Sequence, residues 1–118
     1  MQRIAHLFIS PLSLDDVAHF GAPIALDDAH DALLARCMVR ATVAFAPLID
    51  DGRLDDVDIA YAGRGEPSSV GSIQGVSHDE AEALREYLAD AWRDLVNDVY
   101  AEGDWARDAA LATATMPI

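Results

Sequence analysis

Residues 77–103, SHDEAEALREYLADAWRDLVNDVYAEG, constrain the fold more than any other stretch, because every local signal in them agrees on one long amphipathic helix. Ser77 and Glu80 make an S-x-x-E capping box, in which a hydroxyl and a carboxylate each satisfy a free backbone N–H of the first turn. Leu84, Leu88, Ala91, Trp92, Leu95, Val96 and Val99 recur at three- and four-residue spacing and form one apolar stripe. Gly103 stands where a left-handed residue ends a helix. The spacing therefore predicts a helix from the Ser77 cap to Gly103, with Trp92 and Leu95 buried against a second helix.

The polar side of this helix is unusual. Glu82, Glu86, Asp90, Asp94 and Asp98 fall at every fourth position, and Asp79 and Glu102 extend the set. Four residues are about 400° of turn and about 6 Å of rise, so each carboxylate sits above the last, displaced by about 40°. From Glu82 to Asp94 this ladder crosses the solvent face diagonally, and Asp98 reaches the edge of the apolar stripe. Like charges four apart destabilise a helix by about 0.2–0.5 kcal/mol per pair. Only Arg85 and Arg93 interrupt them, and the chain contains no lysine. The ladder is a cost to the fold that nothing nearby neutralises.

The whole chain shares the bias. Its 21 acidic residues against eight basic ones give a formal net charge of −13, which repels nucleic acid and anionic membranes and attracts basic surfaces. Hydrophobic residues make up 52 %, so the charge does not imply disorder. At 118 residues the chain reads as a single acidic domain, 1–118, long enough to bury its own core. A genome or a saline habitat that favours Asp, Ala and Arg would produce a similar surface with no partner at all. The single cysteine, Cys37, excludes an intramolecular disulfide and a cysteine-based zinc site. No signal peptide and no membrane-length apolar run is visible, so a soluble, cytoplasmic protein is expected.

Residues 3–10, RIAHLFIS, are short, apolar and β-leaning, and read as a strand buried on both faces, ended by Pro11. Ser13, Asp15 and Asp16 open a short helix that Gly21 and Pro23 stop. Leu26, Asp27 and Asp28 start a long run through Phe45. On a helical wheel His30, Leu33, Leu34, Cys37, Met38, Ala41 and Phe45 share one face. The opposite side holds Ala32, Val39 and Val43, with charge only at Arg36 and Arg40. A helix apolar nearly all round is usually buried, so this is the expected central helix, ended near Pro47. Residues 37–45 also alternate as a strand would, but the length of the run favours helix. Asp50, Asp51 and Gly52 signal a turn.

Residues 56–62, DVDIAYA, alternate Val57, Ile59 and Tyr61 against Asp58 and Ala60, the pattern of a half-buried strand. A loop, Gly63 to Ser68, separates them from a glycine-interrupted strand holding Val70, Ile73 and Val76. The two strands read as an antiparallel hairpin with a long loop. Asp104 can cap a short closing helix through Leu111. The expected class is α+β in the order βααββαα: a small antiparallel sheet, made of the N-terminal strand plus the hairpin, packed with two long helices.

Signals for catalysis are absent. His6, His19, His30 and His78 make none of the spacings that place two ligands, or a ligand and a base, on one metal. His30 reads as a satisfied core histidine and His78 as a solvated one. No nucleophile elbow, phosphate-binding loop or dinucleotide fingerprint occurs, and Gly63-Arg64-Gly65 is too short to cradle a phosphate. A second acidic cluster, Asp50, Asp51, Asp55, Asp56 and Asp58, lacks the D-x-D-x-D-G order and the twelfth-position Glu of a calcium loop. No cofactor, metal or catalytic residue is assigned.

Two dense carboxylate patches remain. Duplex DNA carries about one charge per 1.7 Å of axis, and a rigid helix with a carboxylate every ~6 Å presents a comparable field to arginines and lysines in a nucleic-acid groove. In composition the chain is similar to DNA-mimicking phage inhibitors, anti-CRISPR proteins and immunity proteins against nuclease toxins, although it matches no motif of these groups. The likeness to these groups is one of composition only. The charge of −13, the four-residue acid period and the missing catalytic spacing together lead to the expectation of a non-enzymatic inhibitor that occludes a basic, nucleic-acid-handling protein, a nuclease or nucleic-acid-binding complex, through Glu82, Glu86, Asp90, Asp94, Asp98 and the second cluster. No direct contact with nucleic acid or membrane is expected. The alternative is a homo-oligomeric assembly protein, a homodimer at its simplest, whose apolar central helix is the interface.

Overall fold

The computed structural model describes residues 2–18 and 24–114. His19, Gly21 and Pro23 lie outside them, as do the last four residues of the tail. The elements are β1 (Ile4–Ile9), α1 (Leu14–Ala18), α2 (Leu26–Ala44), α3 (Ala46–Asp50), β2 (Asp56–Tyr61), β3 (Ser69–Gln74), α4 (His78–Glu102) and α5 (Asp104–Ala114). This is the expected α+β order with one more short helix, α3. Pro47 lies in the first turn of α3, where its missing N–H costs nothing, so the proline that ends α2 also starts the next helix.

The sheet corrects the hairpin. β2 and β3 are not neighbours: β1 lies between them in the order β2-β1-β3, parallel to β2 and antiparallel to β3. The sheet is therefore mixed rather than antiparallel. β2 and β3 do run in opposite directions, as a hairpin would, but the chain between them straddles the end of β1. Ala62 N–H donates to Ile9 O at 2.8 Å on one side, and Ser10 N–H donates to Ser68 Oγ at 2.9 Å on the other. A hairpin needs only a few loop residues; residues 62–68 are enough to cross two strand spacings, about 10 Å.

Within β1, Ala5, Leu7 and Ile9 are fully buried, while Ile4, His6 and Phe8 are only half-buried. Val57, Ile59 and Tyr61 of β2 and Ile73 of β3 point to the same core, which the helices cover. The register shifts between Ala5 and Leu7, where β3 supplies an extra residue opposite His6. Gly71 sits in this bulge because a Cβ there would lie 2.5 Å from the Phe8 ring.

Helix α4 forms as the sequence dictates. Ser77 Oγ accepts from the Glu80 N–H at 3.3 Å, and Gly103 ends the helix at φ 76°, in the left-handed region. Leu84, Leu88, Trp92, Leu95, Val96 and Val99 are buried. The Trp92 indole N–H donates to Phe8 O at 2.9 Å and its ring lies 6.5 Å from that of Phe45, which caps α2. One residue of α4 thus joins the sheet to the end of the central helix.

Helix α2 is helical throughout, so residues 37–44 are not a strand, and Phe45 is its C-cap. It is not buried on all sides. Only Ala29, Leu33, Cys37 and Ala41 are enclosed, and Met38, Val39 and Val43 face outward. The helix packs chiefly on α5 and, to a lesser extent, on α4. Nothing among the described residues covers its outer side.

Candidate functional site

The ladder stands free on α4. Glu82, Glu86, Asp90, Asp94 and Asp98 are all exposed, crossing the solvent face from Glu82 to Asp98 at the edge of the buried stripe. Only two of the five lie within ion-pair distance of a basic side chain among the described residues. Asp90 Oδ1 pairs with Arg93 at 2.9 Å, and Glu82 lies 3.4 Å from the imidazole of His78, itself on the surface. Both are surface pairs of the kind worth about 0–1 kcal/mol. Successive carboxylates rise about 6 Å along the axis, within the Debye length of about 8 Å at physiological salt, so an approaching charge meets them as one field. Tyr87, 57 % exposed, points to the part of the polar side that Asp94 occupies two turns further on. Sequence reasoning passed over it, although its place off the apolar stripe is visible on the helical wheel. Exposed aromatics among charges are favoured at interfaces.

The second acidic cluster is divided by the fold. Asp50 ends α3 and Asp51 caps it, at the turn where Gly52 takes φ 74°. Asp55 Oδ2 accepts the Arg3 N–H at 2.8 Å, and Asp56 Oδ1 accepts the Val57 N–H at 2.8 Å, so both carboxylates serve the start of β2. Asp58 lies on the outer face of the sheet, opposite His6 in the parallel register, with Oδ2 3.2 Å from His6 Nδ1. The other ring nitrogen of His6 is buried without a partner.

The two acidic regions meet at one end of the molecule. A groove of about 340 Å³ is lined by Arg3, Asp51, Gly52 and Arg53 on one side and Glu80, Ala83 and Leu84 on the other. The α3–β2 turn therefore adjoins the first turns of α4 at Glu80, Ala83 and Leu84, with Asp51 beside Arg3 and Arg53 in the groove. Arg3 is engaged there, its guanidinium donating to Gly52 O. Asp58 belongs to a different face.

The remaining candidates are structural. His30 Nε2 accepts the Leu12 N–H at 2.9 Å, its ring meets the edge of Tyr61 at 4.7 Å, and its backbone oxygen accepts the Tyr61 hydroxyl. This is the satisfied core histidine that the apolar wheel face implied. Burial pushes the Cys37 thiol up to about 11, against a smaller opposing pull from Arg40, so no thiolate forms near neutral pH. Burial likewise raises the Tyr61 phenol. Among the described residues no three His, Cys, Asp or Glu side chains converge as a metal site, and no helix is long and apolar enough to cross a membrane. Set against known proteins, the chain matches no family model, no curated protein and no solved structure.

Proposed function

We propose that the chain is a non-enzymatic acidic binding protein that covers a basic, nucleic-acid-handling surface on another protein, with the ladder of α4 as its principal contact. The observation that carries this reading is that Glu86 and Asp94 have no ion pair among the described residues, while Arg40 serves only the C-terminal end of the set, pairing with Glu102 and acting at longer range on Asp98, and Arg36 is held by Asp108. A fold that gained from these carboxylates would pair them. Carried on one rigid helix, they need no ordering of the backbone when arginines and lysines of a partner arrive, only of their own side chains. Asp51, in the groove beside the first turns of α4, adds a secondary contact, and Tyr87 is an exposed apolar anchor on the same helix. Asp55, Asp56 and Asp58 contribute less, since each is already engaged by the chain itself.

The test is capture of partners from a lysate of the source organism on immobilised protein, washed at rising salt and challenged with duplex DNA. The reading expects basic nucleic-acid-binding proteins that release together as salt rises and that DNA displaces. It fails if the captured proteins resist salt, ignore DNA, or bind equally well once Glu86, Asp90 and Asp94 are changed to arginine.

A further inference from the structure

The outer side of α2 has the opposite character to the ladder. Val39 and Val43 are 69 % and 73 % exposed and Met38 is 51 % exposed, with Ala35 and Thr42 exposed beside them. On a helical wheel these five lie away from Leu33 and Cys37 and make one patch over about three turns. Residues 32–49 contain only two charged side chains, Arg36 and Arg40. Both are closed within the chain. Arg36 Nε and Nη2 grip Asp108 at 2.7 and 3.0 Å, and Arg40 Nη2 pairs with Glu102. The Thr42 hydroxyl is satisfied by the Met38 carbonyl at 2.9 Å. The patch is thus apolar and carries no unpaired charge, on a chain whose net charge is −13.

We infer that a second copy of this chain docks here, α2 against α2 across a two-fold axis. A basic partner gains nothing from an uncharged patch whose flanking arginines are occupied. An anionic membrane repels the chain as a whole. A second copy brings the same neutral surface, so an isologous contact buries valine against valine and leaves no charge unpaired. Beside the patch, a cleft of about 300 Å³ between α2 and the junction of α4 and α5, lined by Val39, Arg40, Val99 and Glu102, has room for a side chain of the other copy. The patch is one helix wide, about 10 Å, and about 15–20 Å long, which is well below the ~800 Å² per partner of a standard interface. The dimer is therefore weak and forms in concentrated protein. Two such anionic bodies repel, so salt strengthens the contact, whereas salt weakens any contact made through the ladder. The inference is independent of the function proposed for α4, and the sign of the salt effect separates the two.

Sedimentation equilibrium from micromolar to millimolar protein tests it. The wild-type mass should climb from monomer toward dimer, and further at high salt than at low. Val39→Arg combined with Val43→Arg should weaken self-association at least about tenfold, a free-energy change of about 1.4 kcal/mol, even though it lowers the net negative charge. Val39→Gln with Val43→Gln, neutral at exposed helix positions, should weaken it in the same direction and serves if the arginine pair disturbs folding, as judged by circular dichroism. A wild-type chain that stays monomeric at millimolar concentration and high salt overturns the inference. So does a double variant, folded and self-associating like the wild type, or self-association that salt weakens.

Discussion

Trp92→Ala tests the packing from which everything else follows. The side chain is fully buried, its N–H donates to Phe8 O at 2.9 Å, and its ring rests near Phe45. A buried tryptophan removes about 150–250 Å² from water, which at about 25 cal/mol per Å² is about 4–6 kcal/mol. Alanine recovers a small part of this, and partial collapse of the cavity recovers more, leaving an expected loss of about 3–5 kcal/mol. That is a large fraction of the ~5–15 kcal/mol that holds a domain of this size folded. Trp92→Phe separates the contributions. It keeps most of the apolar contact and gives up the hydrogen bond, itself worth about 1 kcal/mol, so its cost should be less than half as large. Urea unfolding followed by far-ultraviolet circular dichroism measures both, and Trp105, also fully buried, remains as a fluorescence probe. A Trp92→Ala loss below about 1 kcal/mol, the size of an ordinary substitution, would mean that the stripe of α4 does not pack on β1 and α2.

Other expectations are more local. Ser77→Ala and Gly103→Ala should each cost about 1 kcal/mol, the first by freeing the Glu80 N–H and the second by forcing a Cβ into the left-handed region, φ 76°; thermal unfolding should register each as a drop of a few degrees. Cys37 should resist thiol reagents in the native protein at mildly alkaline pH and react once urea is added. Because folding holds its thiol neutral up to about 11, the unfolded chain ionises first, so stability is intact below the unfolded value of 9.0 and declines between 9.0 and about 11. The Cys37 share of that decline should be on the order of 2 kcal/mol; Cys37→Ala should remove it, leaving only the decline above 10.0 to which the raised Tyr61 phenol contributes, which a pH series of urea melts will show.

The parts of the fold legible in the sequence are those decided within a few residues. The Ser77–Glu80 cap, the Gly103 stop and the alternation of Val57, Ile59 and Tyr61 each rest on a local backbone requirement, and all three are present. Strand pairing is decided over long range. β2 and β3 carry the signals of a hairpin, but β1 offers both of them a more deeply buried partner of the same length, and seven loop residues suffice to pass its end. α3 was hidden because Pro47 reads as a terminator, while it is equally suited to a first turn. The exposure of Val39 and Val43 could not be read from apolarity alone, since a helix apolar on every side is equally consistent with a core and with a surface awaiting a second copy. For the site, periodicity placed the ladder correctly on one exposed face, but no spacing rule shows that Asp55 and Asp56 serve the start of β2 or that Asp58 faces His6.

The measurement that bears most directly on the proposed role of α4 is the association rate of a captured partner with the wild-type chain and with the Glu86→Arg, Asp90→Arg, Asp94→Arg variant, taken across ionic strength. These positions are exposed and Asp90 alone has an ion pair to lose, to Arg93, so circular dichroism should show an intact helix. The wild-type rate should fall steeply from low salt to about 1 M, where the Debye length is about 3 Å. At low salt the variant should associate about 10–1,000-fold more slowly, the range over which charge steers encounter, and Glu86→Gln with Asp90→Asn and Asp94→Asn should show the same trend at smaller amplitude. A folded triple-arginine variant that binds at the wild-type rate, with the wild-type dependence on salt, would contradict the proposal and leave the ladder as a solvated face.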